Sequence, residues 1–147
     1  MLVKEDRSNC IFCEIFAGRS PVSMIWEDDR VGVFIPFKPV NRGHALVVPK
    51  VHAPYLADLD SDLAAYIMRI AQRTAAAIRA SDLKCEGVNL FLADGESAGQ
   101  EVFHFHLHVY PRFSDDGFGF RYDARHFADV ERREMDRIAA LIRMHFK

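Results

Sequence analysis

Hydrophobic and polar positions alternate most regularly just past residue 100. From 103 to 109 the odd positions are Phe103, Phe105, Leu107 and Val109, and the even ones are His104, His106 and His108. Successive side chains of a strand point to opposite faces. The pattern therefore predicts a strand with an apolar row anchored on a core and a histidine row facing a cleft or a metal. Pro111, which offers no ladder donor, suits its end. Shorter apolar runs predict four earlier strands, over 24–27, 31–35, 44–48 (stopped by Pro49) and 87–93. Asp28-Asp29-Arg30 is a turn. A loop over 36–43, broken by Pro36, Pro39, Asn41 and Gly43, joins the second and third strands as an antiparallel pair.

Helical spacing is clearest over 58–81, where Leu63, Ile67, Ile70, Thr74, Ala77 and Ile78 recur and Asp60 or Ser61 can cap the start. Arg69, Arg73 and Arg79 read as its solvated face. Ile11, Phe12, Ile15 and Phe16 form a short helical turn closed by Gly18 and Pro21. A terminal helix over 131–146 carries Met135, Ile138, Ala139 and Ile142 on one stripe. The segments 94–99 and 114–120 are Gly-containing loops, the second with exposed aromatics. His126 and His145 read as surface residues.

A chain of 147 residues fits one domain with a sizeable core, and half of its residues are hydrophobic. The formal net charge of -2 gives no basic field for nonspecific nucleic-acid binding. No apolar run is long enough to cross a bilayer, and the polar segment 1–9 has no signal-peptide core. The expectation is a cytoplasmic protein with neither nucleic-acid nor membrane partner. Three cysteines do not form a secreted disulfide framework. Cys85 reads as a packing thiol.

Candidate chemistry gathers in two places. Cys10-Ile11-Phe12-Cys13 is a C-x-x-C with no strand before it, which favours zinc over redox chemistry. Zinc needs two further ligands, to be found among the seven histidines. His52, just after a predicted strand end, is one candidate. The histidine strand is the other place. A neutral imidazole is both a nucleophile toward phosphorus and a metal ligand. The loop 95–100 enters that strand through Gly99, where backbone N–H groups can approach an anion, as in a phosphate nest.

These segments resemble the histidine triad (HIT) family, whose motif is matched by His104-Phe105-His106-Leu107-His108-Val109-Tyr110. The resemblance extends through Cys10-Ile11-Phe12-Cys13-Glu14-Ile15, Trp26-Glu27-Asp28-Asp29, the run from Gly43-His44 to His52, and Gly99-Gln100. Pro111-Arg112-Phe113 and Asp116-Gly117-Phe118-Gly119 resemble the extended C-terminal part of bacterial members. The resemblance implies an α+β, HIT-like fold: a five-stranded antiparallel sheet, one long helix and a C-terminal helix. Residues 1–147 would form a single domain with a C-terminal extension from about 113, usually in a homodimer that joins two sheets.

The implied activity is hydrolysis at the α-phosphate of nucleotidyl substrates, adenosine derivatives among them, through a nucleotidyl-histidine intermediate. His106 would be the nucleophile and His108 would hydrogen-bond phosphate oxygens. His44 would support the imidazole network. Gln100, Gly99 and Val102 would help to cradle the phosphate, and Arg112 would add charge or serve structure. Ile11, Phe12, Ile15, Phe34 and Leu46 would wall the base pocket. In the zinc-containing branch the ligands match Cys10, Cys13, His52 and His104, a closed structural Zn2+ site. The Pro-Arg ending is similar to that of members acting on dinucleoside polyphosphates, and nucleoside phosphoramidates are the other substrate class.

Three positions depart from the family pattern. Pro36 stands where members carry an acidic residue for the ribose, Ala93 where many have Asn or Gln, and Glu101 where many have Ser or Thr. Pro36 and Ala93 support a rival reading as a nucleotide-binding or scaffold protein with vestigial catalysis. A further rival is a metalloenzyme that uses His104, His106 and His108 together as ligands.

Overall fold

The computed structural model describes residues 9–119 and 130–146. The chain divides into two compact units, Met1–Asp116 and Gly117–Lys147. The first holds a short helix α1 (Ile11–Phe16), strands β1 (Ser23–Glu27), β2 (Val31–Ile35) and β3 (Ala45–Pro49), a long helix α2 (Ser61–Ala80), and strands β4 (Gly87–Phe91) and β5 (Leu107–Arg112). The strands form one antiparallel sheet in the order β1-β2-β3-β5-β4. This is the expected α+β architecture.

The sheet is covered on both faces, which explains why β2 and β3 read as nearly unbroken apolar runs. Val31, Val33, Ala45, Val47, Phe105, Leu107 and Val109 face α2 and pack on Ile67, Ile70, Ala71, Ala75 and Ile78. Phe34, Leu46 and Val48 face the other way, against Phe12 and Ile15 of α1. Gly32 allows this second layer to close, because a Cβ there would lie 2.5 Å from the Phe16 ring. Asp60 caps α2 by accepting from the amides of Asp62 and Leu63. The buried stripe of α2 includes Ala71 and Ala75 and leaves out Ala77, which is exposed. Helical spacing alone admits Ala77 to that stripe, because alanine is compatible with either face. Arg73 lies over the Trp26 ring at 5.1 Å and Arg69 over Tyr66 at 5.4 Å, on the solvated side. Cys85 packs beside the core and donates to the Gly87 carbonyl.

The histidine strand is shorter than its sequence pattern. Pairing of β5 with β3 starts at Leu107 opposite Val47, so His104 and His106 lie in the segment leading into it. The ladder stops because β3 ends at Pro49, which has no N–H to give. Phe105 N–H turns instead to the Ala53 carbonyl at 2.7 Å. The alternation of faces persists through this segment, with Phe105 and Leu107 in the α2 core and the three histidines on the α1 side. β4 likewise ends at Phe91, short of Ala93.

The second unit contains α3 (Arg132–Arg143), preceded by Glu131 and without a buried side chain. Met135, Ile138 and Ile142 are exposed along it, as is His145 beyond its end. His126 lies outside the described residues.

Candidate functional site

Antiparallel register places one row of residues across the α1 face of the sheet: Met24, Phe34, Leu46, His108 and Phe91 are successive cross-strand partners. A cleft of about 530 Å³ lies over this row. Its wall includes Ile11, Phe12, Ile15, Phe34 and Leu46, the five residues expected to form an apolar pocket. His44, His106, His108, Gly99 and Val102 line it as well. Phe12 stands edge-on to the His106 ring, with centroids 5.2 Å apart.

Hydrogen bonds assign the tautomers of the three cleft histidines. A carbonyl can only accept, so the 2.7 Å contact from His106 Nδ1 to the His104 carbonyl oxygen requires a proton on Nδ1. Nε2 of a neutral His106 then keeps its lone pair. Among the described residues no group hydrogen-bonds this atom and no buried side-chain nitrogen or oxygen lacks a partner, so Nε2 is not sealed in the core, and His106 lines the cleft. The Val40 amide donates to His44 Nδ1 at 3.1 Å. His44 must then carry its proton on Nε2 and donate it to His108 Nδ1, 3.0 Å away. That leaves His108 with an Nε2–H donor. The cleft therefore presents one imidazole lone pair and one imidazole N–H from two rings whose centroids are 4.9 Å apart.

Burial keeps these rings neutral. Loss of hydration, followed by repulsion from His106, lowers His44 to about 4. Loss of hydration, with repulsion from His106 and His44, lowers His108 to about 3. His106 is also lowered by burial, against opposing contributions from its bond to the His104 carbonyl and from the Glu101 carboxylate. Tyr110 stacks on His108 with centroids 5.2 Å apart and fixes its plane.

Gln100 occupies a different place from the one expected. It is buried and does not line the cleft. Its Oε1 accepts from the Gly95 amide at 2.8 Å, and its Nε2 donates to the Pro54 and Val102 carbonyls. Its amide braces the loop that carries Glu101 and Val102. The amides of Gly99 and Gln100 are used within that loop, on the Glu96 and Gly95 carbonyls. Those of Glu101 and Val102 have no acceptor among the described residues. Gly99 adopts φ +85°, which lets the loop turn into the histidine segment without strain. Arg112 is turned to structure, with its guanidinium pairing with Asp116 and Asn89.

A second cluster adjoins the first. Ligand atoms of Cys10, Cys13, His52 and His104 all lie within 4.8 Å of one another. Cys10 Sγ is 3.3 Å and Cys13 Sγ 3.7 Å from His104 Nδ1, and Cys13 Sγ is 3.4 Å from His52 Nδ1. A tetrahedral zinc with bonds of about 2.3 Å to sulfur and 2.0 Å to nitrogen sets S···N edges of roughly 3.6 Å. The donor set fits. His104 Nε2–H donates to the Pro49 carbonyl at 2.8 Å, which turns the Nδ1 lone pair toward the thiols. Among the described residues, this is the group of side chains that can hold a metal ion. The three motif histidines do not form one, because His106 Nδ1 is committed to a carbonyl and His108 Nδ1 to His44.

Several cleft residues were not singled out from sequence. Tyr110 was reachable, since it follows His108 by one strand period. Phe91 and Lys38 depend on register and on loop path, which leave no local signal.

The HIT domain family matches residues 17–115. A HIT family protein of Bacillus anthracis has a crystal structure that superposes with a TM-score of 0.86 at 38% identity, covering 95% of this chain and 98% of that one. A Zn-bound histidine triad family protein of Mycobacterium smegmatis superposes at 0.74 with 37% identity, again over 95% and 98%. An adenylylsulfatase of Arabidopsis thaliana is 29% identical over 140 residues, 95% of this chain and 70% of that protein. With a triad of alternating histidines set over an antiparallel sheet and the domain match spanning that sheet, the chain belongs to the HIT family.

Proposed function

We propose that the chain is a nucleotidyl hydrolase that works through a covalent intermediate on His106. The observation that carries this reading is the tautomer assignment. The lone pair of His106 Nε2 faces the same cleft as the N–H of His108 Nε2, beside an apolar pocket sized for a nucleoside. The base inserts among Phe12, Ile15, Phe34 and Leu46. His106 Nε2 attacks the α-phosphorus, and the bond from phosphorus to the leaving group breaks. His108 Nε2–H and the amides of Glu101 and Val102 hydrogen-bond the phosphoryl oxygens as charge builds on them. Nδ1–H of His106 stays on the His104 carbonyl, which supports the imidazolium that forms. Water then attacks phosphorus, releases a nucleoside monophosphate and restores His106. His44 holds His108, and Gln100 holds the cradle loop, so both act as positioning residues.

Cys10, Cys13, His52 and His104 would hold zinc, with no position left for substrate. A bound zinc supplies rigidity there. His104 uses its ring for the metal site and its carbonyl for the nucleophile, so order at one cluster reaches the other. A second copy of the chain is the proposed partner at β4, which ends the sheet order among the described residues and exposes Leu90. Light scattering at twice the chain mass would support that assembly.

The test is mass spectrometry of protein quenched without acid during turnover of an adenosine phosphoramidate and of diadenosine tetraphosphate. An adduct of AMP mass on His106, absent in His106→Ala together with turnover, is the expected result. Nucleotide binding without adduct or turnover would replace this reading with that of a binding protein.

A further inference from the structure

Besides its histidines, the cleft is lined by two charged residues, Lys38 and Glu101. Lys38 belongs to the loop between β2 and β3. Glu101 stands in the loop that leads to the nucleophile, between Gly99 and Val102, and its charge is felt at His106. No ion pair or hydrogen bond engages its carboxylate among the described residues, and Glu101 is exposed. The same residue offers its backbone amide to the phosphoryl group. An anion bound at His106 therefore shares its cleft with a carboxylate that pairs with no described cation, while Lys38 lines the cleft from the β2–β3 loop.

That arrangement discriminates among leaving groups. A polyphosphate leaving group brings several further negative charges toward Glu101. A leaving group with an ammonium beyond the scissile bond brings the complementary charge, and no ion pair among the described residues has to release Glu101 first. We propose that Glu101 is a specificity-determining residue that selects nucleotidyl substrates whose leaving group carries an ammonium, over dinucleoside polyphosphates. This rests on the nucleotidyl-hydrolase reading above and names its substrate class. For a phosphoramidate, the His106 Nε2–P bond forms as the P–N bond breaks. The leaving nitrogen keeps the bond pair and takes a proton from solvent, and hydrolysis of the Nε2–P bond returns a proton to solvent.

Three adenosine 5'-phosphoramidates of matched length test it, ending in an ammonium, a methyl group and a carboxylate, with diadenosine tetraphosphate alongside. The expected order of kcat/KM in the wild type is ammonium, methyl, carboxylate, with the tetraphosphate last. Like and unlike charges a few ångströms from a surface carboxylate separate neighbours in this order by about tenfold. Glu101→Gln should collapse the ammonium-to-carboxylate ratio, and Glu101→Lys should invert it. Glu96→Gln, an exposed acid of the same loop that does not line the cleft, should keep it. The wild-type ratio should also shrink as salt rises, a readout that needs no variant. Turnover of all four compounds with a ratio indifferent to salt and to Glu101→Gln would overturn the proposal and leave the hydrolase reading standing. Absence of turnover and adduct with every compound would remove the hydrolase reading, and this proposal with it.

Discussion

His104 and His106 are two residues apart on the same face of one segment, yet they belong to different chemistries. Each gives one ring proton to a backbone carbonyl, His104 through Nε2 to Pro49 and His106 through Nδ1 to His104. The choice of nitrogen decides what the remaining lone pair meets. For His104 it meets two thiols in a closed group of four side chains. For His106 it meets an open cleft. An imidazole becomes a metal ligand or a nucleophile according to which carbonyl fixes its tautomer and what the other nitrogen finds.

The sharpest way to separate the two clusters is to remove each lone pair. His106→Ala should lower kcat by about 10⁴-fold or more, as loss of a covalent nucleophile does, while zinc content and thermal midpoint stay near wild type. Metal analysis and melting curves beside the kinetics check this, and loss of zinc in that variant would erase the distinction. Cys10→Ser should do the reverse. Zinc content falls and the melting temperature drops by about 10 °C, corresponding to roughly 3 kcal/mol for a chain of this size. Its turnover falls less, by about 10- to 100-fold, because only the support of the His104 carbonyl is disturbed.

Gln100→Ala touches the open cluster without touching substrate. It leaves the Gly95 amide and the Pro54 carbonyl short of a partner, at a cost of about 1–2 kcal/mol, and frees the loop that carries Glu101 and Val102. A roughly tenfold loss in kcat/KM with zinc retained is expected in steady-state kinetics. A loss confined to stability would reduce Gln100 to a loop brace.

A further effect is on pH dependence. His44 and His108 titrate near 6.5 when unfolded and at about 4 and 3 when folded. The unfolded chain therefore binds more protons below pH 6.5, and stability rises with pH. Their contribution is complete above 6.5 and declines as pH falls toward 4. His44→Asn, which retains an acceptor for the Val40 amide, should flatten that slope in urea titrations run between pH 4.5 and 7. An unchanged slope would mean that His44 is hydrated in the folded protein.

How far the site could be read in advance differed from residue to residue. The alternation from Phe103 to Val109 carries its own two faces, because side-chain direction in extended chain depends only on parity. Short unbroken apolar runs made β2 and β3 readable, and helical spacing with an Asp60 cap made α2 readable. Ala77 was misplaced because a small side chain is indifferent to burial. The length of the histidine strand was overread, because its end depends on the missing N–H of Pro49 in another strand.

What the sequence by itself determined is the strands and the long helix, from local periodicity, and, through the resemblance to the HIT family, the fold class, the grouping of chemistry into two histidine-containing sets and the apolar wall beside them. What only the tertiary structure decided is which nitrogen of each imidazole is spoken for, that Gln100 serves its loop, and that Glu101 lines the cleft with no side-chain partner among the described residues. Several of the deciding contacts join segments some fifty residues apart, as with Pro49 and His104 or Pro54 and Gln100. A hydrogen bond between such segments leaves no periodic trace in either one.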